Sequence, residues 1–430
     1  MQTHFDDTQL AEPNIADCEK ALRKCVHCGF CSATCPTYVV SGDELDSPRG
    51  RIQLIQNMLE SGDAPTKETV HHLDRCLSCL SCKTTCPSDV NYDRLIDEAR
   101  AHIEKTYERP PMDKFVRRML AYLLPRPNLF RAAILFGKLG RPVRQWLPAP
   151  FQAMMDLVPD KWPEPRLSDY GTVYPAEGER TSRVIMLRGC VQSVMDQDTN
   201  DAAIRILNRH GVEVLVPAGS GCCGALPHHM GQPEAAEMWA MKNAVAWSKG
   251  NVLNQVDHVI ATASGCGSVL KDYDRIFRSN PELAESAKMI AEKSIDIVEM
   301  LDKLDLKHVS LPRRFKVAYH GACSLRHGQG IDELPRKLLI NAGFDILEIP
   351  DGHLCCGSAG TYNILQPEMS QTLAKKKVSN IRKLNPDLVV TANVGCSVQL
   401  ASRMDIGVGH TVQFLDWATG GPRPKQAGGP

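Results

Sequence analysis

The sequence has no net charge, no long hydrophobic run and no basic, apolar start, and each absence removes a class of function. Its 50 Lys and Arg balance 50 Asp and Glu, so no overall field favours a polyanion, and no nucleic acid is expected as a partner. Nowhere do about 18 apolar residues follow one another; the best local stretch, Ala132 to Phe136, is far too short to cross a bilayer. The opening residues, MQTHFDDTQLAEPNIADCEK, are acidic and polar, unlike a secretory signal. The expected location is therefore the cytoplasm, with any membrane contact peripheral. An apolar fraction of 43% and a charged fraction of 23% are those of an ordinary globular chain, and 430 residues are too many for one core, so two or three domains are expected.

What the sequence does have is cysteine, 17 in all. In a compartment that keeps thiols reduced these cannot be a disulfide framework, and metal ligation is the better reading. All but Cys18, read as a structural thiol, fall into two ordered sets of eight. The first set comes from CVHCGFCSATCP (Cys25, Cys28, Cys31, Cys35) and CLSCLSCKTTCP (Cys76, Cys79, Cys82, Cys86). Both read C-x2-C-x2-C-x3-C-P, in which three thiolates wrap one face of a cubane while the fourth points toward a second cluster. The expected ligands are Cys25, Cys28, Cys31 and Cys86 for one [4Fe-4S] cluster, and Cys76, Cys79, Cys82 and Cys35 for the other. Zinc sites show two separated C-x2-C pairs instead of triplets followed by Cys-Pro. Between the motifs, Ile52, Ile55, Met58 and Leu59 recur at helical spacing before Gly62, which predicts a helical linker and a helix-rich module. Arg49 and Arg51 are read either as offsetting thiolate charge or as solvated surface groups.

The second set is a repeat. Cys190, Cys222 and Cys223 recur 133 residues later as Cys323, Cys355 and Cys356, and Cys266 recurs after 130 as Cys396. Each copy alternates strand, helix, strand, helix, strand, the pattern of parallel sheets flanked by helices, and each cysteine follows the carboxyl end of a strand, where open α/β sheets place ligands. Four convergent thiolates can hold an iron–sulfur cluster or a zinc ion, and the vicinal pairs can do thiol chemistry. Spacing does not choose among these. His320 and His353 stand near the second set and are read as ordinary, partly exposed histidines, with ligation the alternative; the offset of 133 places Leu187 and Ser220 at their positions in the first copy.

From Arg109 to Trp146, nine basic residues face one acid, Asp113, with Leu120, Leu123, Leu124, Phe130, Ile134, Leu135 and Phe136 interleaved. That pattern suits an anionic membrane face or a partner subunit equally. Residues 147–180 read as a proline-rich irregular connector. The expected architecture is α+β and multidomain: a helix-rich two-cluster ferredoxin module at 15–106, a basic helical and Pro-rich connector at 107–180, cysteine-rich α/β repeats with parallel sheets at 181–305 and 314–417, and a disordered tail at 418–430.

The motifs CVHCGFCSATCPTY, GDELDSPRGR, DRCLSC, GCCGA, LCCGSAGTYN, TASGCGS and TANVGC resemble the iron–sulfur subunits of bacterial glycolate oxidases, over about Leu22 to Trp417. The resemblance implies a non-catalytic electron-transfer subunit, peripheral on the cytoplasmic face of the inner membrane. Its FAD-binding partner subunits would oxidise glycolate to glyoxylate, with a quinone or another membrane acceptor beyond. FAD is expected only in those partners, because no flavin signature is read after any strand. Cluster subunits for lactate or glycerol 3-phosphate, and heterodisulfide-reductase-like thiol/disulfide catalysis, are the alternatives. Against the last, the fifth cysteine of those relatives is absent twice: Cys266 is followed by Gly267, Ser268 and Val269, and Cys396 by Ser397, Val398 and Gln399.

Overall fold

The computed structural model describes residues 1–159 and 171–428. The N-terminal module is built from helices Pro13–Lys24, Pro48–Ser61, Lys67–Asp74 and Tyr92–Thr106. Their apolar faces meet in a core that includes Leu22, Ile55, Leu73, Leu95, Ile96 and Ile103. The linker helix has the expected signals: the Ser47 side chain accepts from Gly50 N, Pro48 opens the first turn, and Gly62 closes the helix at φ +71°. Each cysteine motif ends in a short helix, Phe30–Thr34 or Ser81–Thr85. The two are joined across the module where the Thr34 and Thr85 hydroxyls lie 3.1 Å apart.

The two repeats form two sheets. The first contains β1 (Thr172–Tyr174), β2 (Ser182–Leu187), β3 (Val212–Val216), β4 (His258–Ala261) and β5 (Ser294–Asp296) in the order β1-β3-β2-β4-β5. The second contains β6 (Lys316–His320), β7 (Asp345–Leu347), β8 (Leu388–Thr391) and β9 (Gly407–His410) in the order β7-β6-β8-β9. All pairings are parallel except β1 with β3. Without β1 the two orders are identical, with the switch point between the first and third strands of each repeat. Strands β2, β3, β4 and β8 are near-continuous apolar runs because both faces are covered.

One apolar cluster runs through both sheets, joining Val184, Met186 and Val214 to Val317, Val389 and Phe414. Helices Gln197–Arg209 and Thr411–Ala418 meet across this seam. There, the fully buried Asp416 carboxylate takes Arg205 at 2.7 Å and Arg209 at 3.0 Å. The repeats therefore share a core.

Four expectations change. The segment 147–180 is not uniformly irregular: Ala149–Asp156 is helical and Thr172–Tyr174 is an edge strand of the first sheet; the rest of its proline-rich stretch, 160–170, lies outside the described residues. The fourth strands β5 and β9 carry too few apolar residues, SID and GVGH, to announce themselves. The tail, expected to be disordered, packs down to residue 428: Ala427 is buried, and Arg423 lies 5.5 Å over the Trp417 ring. Docking against the last strand supplies order that composition did not signal. Finally, the connector's charge is partly internal. Arg109 and Arg117 are buried against Asp74, an acid outside the segment, at 2.7 and 2.8 Å.

Candidate metal centres

In the two N-terminal motifs the chain wraps through left-handed backbone at equivalent positions, His27 and Gly29 in the first and Ser78 and Leu80 in the second. Three of these are not glycine, so the loops hold conformations that side chains rarely adopt, which is the expected price of curling around a ligand. A pocket opens between Cys25, Cys28, Cys31 and Cys86, with Arg49 beside it. Burial, and then the fields of Cys25 and Cys86, push the Cys31 thiol up to about 11. Cys79 and Cys82 face Cys76 and Cys35, and burial pushes both thiols well up. Buried and crowded thiols of this kind are stabilised as thiolates only by a cation placed among them, so both sets fit iron–sulfur clusters.

The surroundings of the second set are polar in a directed way. Ser78 N and Tyr92 OH donate to Cys76 Sγ at 3.5 and 3.7 Å. Arg51 Nη1 lies 3.8 Å from Cys35 Sγ, and Arg51 is 1% exposed. Its partner Asp46, fully buried, also takes Arg75 at 2.6 Å and His72 at 3.0 Å. Arg51 is thus a buried cation at the sulfurs, whereas Arg49 is a surface group paired with Glu44 at 2.8 Å. Donors and positive charge at the sulfurs favour the reduced, more negative state of a cluster. Cys18 is fully buried; its Sγ donates to Arg94 O at 3.5 Å, and burial holds the thiol protonated.

In the first repeat Cys190 Sγ lies 3.4 Å from Cys222 Sγ, and the contacts continue to Cys223 and Cys266. The second repeat forms the same chain, Cys323 to Cys355 to Cys356 to Cys396. The glycine after each vicinal pair is required twice over: Gly224 and Gly357 sit at φ +89° and +84°, and a Cβ there would lie 2.7 Å from Ala236 O or 2.6 Å from Ser370 O. Their N–H groups donate back to Cys222 and Cys355 Sγ, each at 3.4 Å. Residues Gly219 to Gly224 do match the letters G-x-G-x-x-G, a dinucleotide-loop signature, after a strand, contrary to the expectation that no flavin signature follows any strand. The two middle positions hold buried thiols, however, and the helix that follows, Ala225–His229, has five residues. The loop presents sulfur where a dinucleotide loop presents open backbone to phosphate.

Two buried groups beside the second cysteine set have no counterpart in the first. Counted from Pro233 and Pro367, which open equivalent helices, Lys377 stands where the first repeat has Asn243. Asn243 holds its cysteine loop by donating to Cys222 O at 2.8 Å; Lys377 Nζ does the same to Asp351 O at 3.0 Å and leaves a buried charge beside the thiols. The other is His320, which is 1% exposed, not partly exposed as expected. Neither ring nitrogen has a hydrogen-bond partner, a burial that costs about 1–3 kcal/mol per group when nothing else satisfies it. A ring nitrogen of His320 and the Sγ atoms of Cys356 and Cys396 lie within 4.8 Å of one another. Burial lowers its pKa to about 3, so the imidazole is neutral. His353 lies on the loop just before Cys355 and is only partly buried.

Three of the four cysteine sets face one space, the first cubane set having its own pocket. A cavity of about 640 Å³ is bounded by Cys76 and Cys79 of the module, by Cys190, Cys222, Cys223 and Cys266, and by Cys323, Cys355 and Cys396. Its opposite wall is the connector, where Leu120, Leu123, Leu124, Phe130, Ile134 and Met154 line it. Cys79 and Cys323 feel each other's charge, so the module abuts the second repeat. Tyr362 OH donates to Arg75 O at 2.9 Å, and Thr84 Oγ1 lies 2.7 Å from His327 Nδ1 across that junction. Against the first repeat, Arg100 donates to Cys76 O at 2.6 Å and to His229 O at 3.1 Å, while Asp97 meets His228 and His229 at 3.1 and 3.3 Å. Arg75, Thr84 and Tyr362 stand inside the quoted motifs DRCLSC, CLSCLSCKTTCP and LCCGSAGTYN but were given no role there, whereas Asp97, Arg100 and His327 lie outside any motif; the His228-His229 doublet just after the first vicinal pair could also have drawn notice.

Two family models match, one for a 4Fe-4S dicluster domain over residues 21–90 and one for a cysteine-rich domain over 184–271 and again over 317–401. The chain is 37% identical to the glycolate oxidase iron-sulfur subunit of Escherichia coli, over 97% of this chain and 99% of that one. It is 32% identical to the probable glycolate oxidase iron-sulfur subunit of Bacillus subtilis, over 89% of each. Lactate utilization protein A of Oceanobacillus iheyensis is 29% identical, over 54% of this chain and 96% of that protein. A solved structure of a hypothetical protein from Helicobacter pylori shares the fold, with a TM-score of 0.54 at 11% identity, over 97% of this chain and 74% of that one.

Proposed function

The chain belongs to the family of glycolate oxidase iron–sulfur subunits, and we propose that it carries electrons from FAD-bearing partner subunits, which oxidise glycolate to glyoxylate, toward a quinone. It is a subunit of an oxidoreductase complex and contributes no residue to the oxidation of the organic substrate. Cys25, Cys28, Cys31 and Cys86 hold one cubane, and Cys76, Cys79, Cys82 and Cys35 the other. A cubane passes one electron at a time, which matches a two-electron flavin to stepwise transfer. Cys190, Cys222, Cys223 and Cys266, and Cys323, Cys355, Cys356 and Cys396, hold two further metal centres.

The observation that carries this reading is the common cavity: thiols of the module and of both repeats on one side, an apolar wall on the other. Arg51, Tyr92 and Ser78 bias the second cubane toward reduction, and Cys79 hands over next to Cys323. The apolar wall suits the ring of a lipophilic acceptor. No helix among the described residues is long and apolar enough to cross a membrane. Association with the cytoplasmic face of the inner membrane is supported instead by Phe136, Leu139 and Trp146, each about three-quarters exposed on the connector, with exposed Lys114 and Arg118 on the same segment.

The test uses the assembled complex with glycolate. Leu123→Trp fills the cavity and is expected to raise KM for a short-chain quinone several-fold while glycolate-dependent dye reduction at the flavin is unchanged. An unchanged quinone KM removes the acceptor from this cavity; glycolate oxidation by the purified chain alone removes the whole reading.

A further inference from the structure

The duplicated strands allow a position-by-position comparison of the two cysteine sites. In the first sheet the residues at the carboxyl edge are in register as Leu187, Ala261 and Asp296. In the second sheet the equivalent row is His320, Thr391 and His410. An apolar row ending in a satisfied carboxylate has become a row of buried polar side chains. Asp296 accepts from Val298 N at 3.1 Å and from Gln329 Nε2 at 3.3 Å. In the second row both His320 ring nitrogens, Thr391 Oγ1 and His410 Nε2 have no partner.

His410 is accounted for in part, since its Nδ1 accepts from Val412 N at 3.2 Å and caps the last long helix. His320 has no such role. Strand β6 delivers it to the switch point of its sheet, its ring surrounded by buried groups, with a nitrogen within 4.8 Å of Cys356 Sγ and Cys396 Sγ. A metal bonds imidazole nitrogen at about 2.0–2.1 Å and thiolate sulfur at about 2.3 Å. Donors spaced like these close on one ion with small side-chain movements. A neutral imidazole is the form that ligates, and the thiol chain from Cys323 to Cys396 supplies the remaining donors.

We propose that His320 gives an imidazole nitrogen to the metal centre of the second cysteine set, so that the two repeats hold unlike centres, sulfur-only in the first and mixed sulfur–nitrogen in the second. The inference rests on the reading that the repeats bind metal. Where that centre holds iron, a neutral nitrogen taking one metal position that a thiolate fills in the first repeat, with the Lys377 ammonium nearby, gives it the more oxidising character, as histidine does in Rieske centres. That centre is also the one beside Cys79. With iron there, the asymmetry gives the relay a direction, from the module into the second repeat.

The experiment takes the full chain as purified, counts iron and zinc, and examines nitrogen bound to the metal beyond the eight cubane irons expected from eight ligands. For iron the method is pulsed EPR, comparing protein grown with 14N- and 15N-histidine; for zinc it is X-ray absorption at the zinc edge. The expected result is one strongly coupled or directly bonded histidine nitrogen, which disappears in His320→Leu, the residue the first repeat uses, while cubane signals persist. The isotope comparison needs no variant and stands even where His320→Leu fails to fold. Metal present without a bound histidine nitrogen overturns the inference and leaves the metal-binding reading intact. A nitrogen signal that survives His320→Leu also overturns it, and a chain holding cubanes and no further metal overturns both.

Discussion

Replacing Asp74 by asparagine is expected to loosen the wall of the central cavity without touching a cysteine. Asp74 ends the helix that leads into the second cysteine motif, and its carboxylate fixes the connector. Arg109 binds it through both nitrogens at 2.7 and 3.2 Å, and Arg117 at 2.8 Å. The guanidinium side chains are 4% and 7% exposed, so the pairs lie outside solvent screening. Removing one partner of a buried ion pair costs about 3–5 kcal/mol. Asp113 still pairs with both arginines and Glu104 with Arg109, which places Asp74→Asn near the lower end. At about 1.4 kcal/mol per factor of ten, docking of helix Pro111–Leu123 weakens about 100-fold. Amide hydrogen exchange of the full chain reads this directly as faster exchange confined to that helix. The pH dependence gives an independent check. Burial raises the Asp74 pKa, but Arg117 and Arg109 outweigh it and hold the carboxyl below its ordinary value of 3.8. With the folded pKa depressed, the stabilisation is complete above the unfolded value and is lost as pH falls through the folded one. The ratio of variant to wild-type exchange should stay constant near neutrality and shrink only in acid below about pH 4. Exchange within threefold of wild type at pH 7 would refute the account of how the connector is held.

Three further outcomes follow from the same structure. Arg51→Met should lower the potential of the second cubane by about 50–100 mV: a unit charge about 6 Å away is worth about 3 kcal/mol at an effective dielectric of 20, and Asp46 offsets part of it; an EPR-monitored redox titration showing no shift, or a rise, contradicts the role given to Arg51. Gly357→Ala forces a Cβ onto Ser370 O in a left-handed conformation and should strip the second repeat of metal while the iron of the module is retained, as measured by metal analysis. Leu139→Glu with Trp146→Glu should abolish co-sedimentation with vesicles containing anionic lipid if the connector meets the membrane; undiminished binding assigns that surface elsewhere.

How much was legible in the sequence differed by level. The cysteine spacing announced the module, and the offset of 133 residues announced the duplication, because metal ligation and repetition leave exact distances in a chain. Apolar runs such as RVIML and LVV marked strands buried on both faces, whereas SID and GVGH are strands only by virtue of their neighbours. Arg100, Asp97, the His228-His229 pair and Asp74, which stands without a role in the motif DRCLSC, were not legible because their meaning is tertiary: each is an ordinary charged or polar residue until a distant segment arrives. The same holds for the nine connector cations, counted as a basic surface until Asp74 was found among them. His320 was noticed for its neighbour in sequence and misjudged in exposure, since no local pattern separates a surface histidine from one carried on a strand into the centre of a sheet.

The shared cavity also sets a condition on assembly. Thiols from three parts of the chain line it and the connector is the facing wall, so neither repeat completes the lining alone and the module, the connector and both repeats have to meet before the cavity exists. Any one part of the chain made by itself is expected to lack that lining, so the parts have to be joined in one polypeptide or meet as folded pieces.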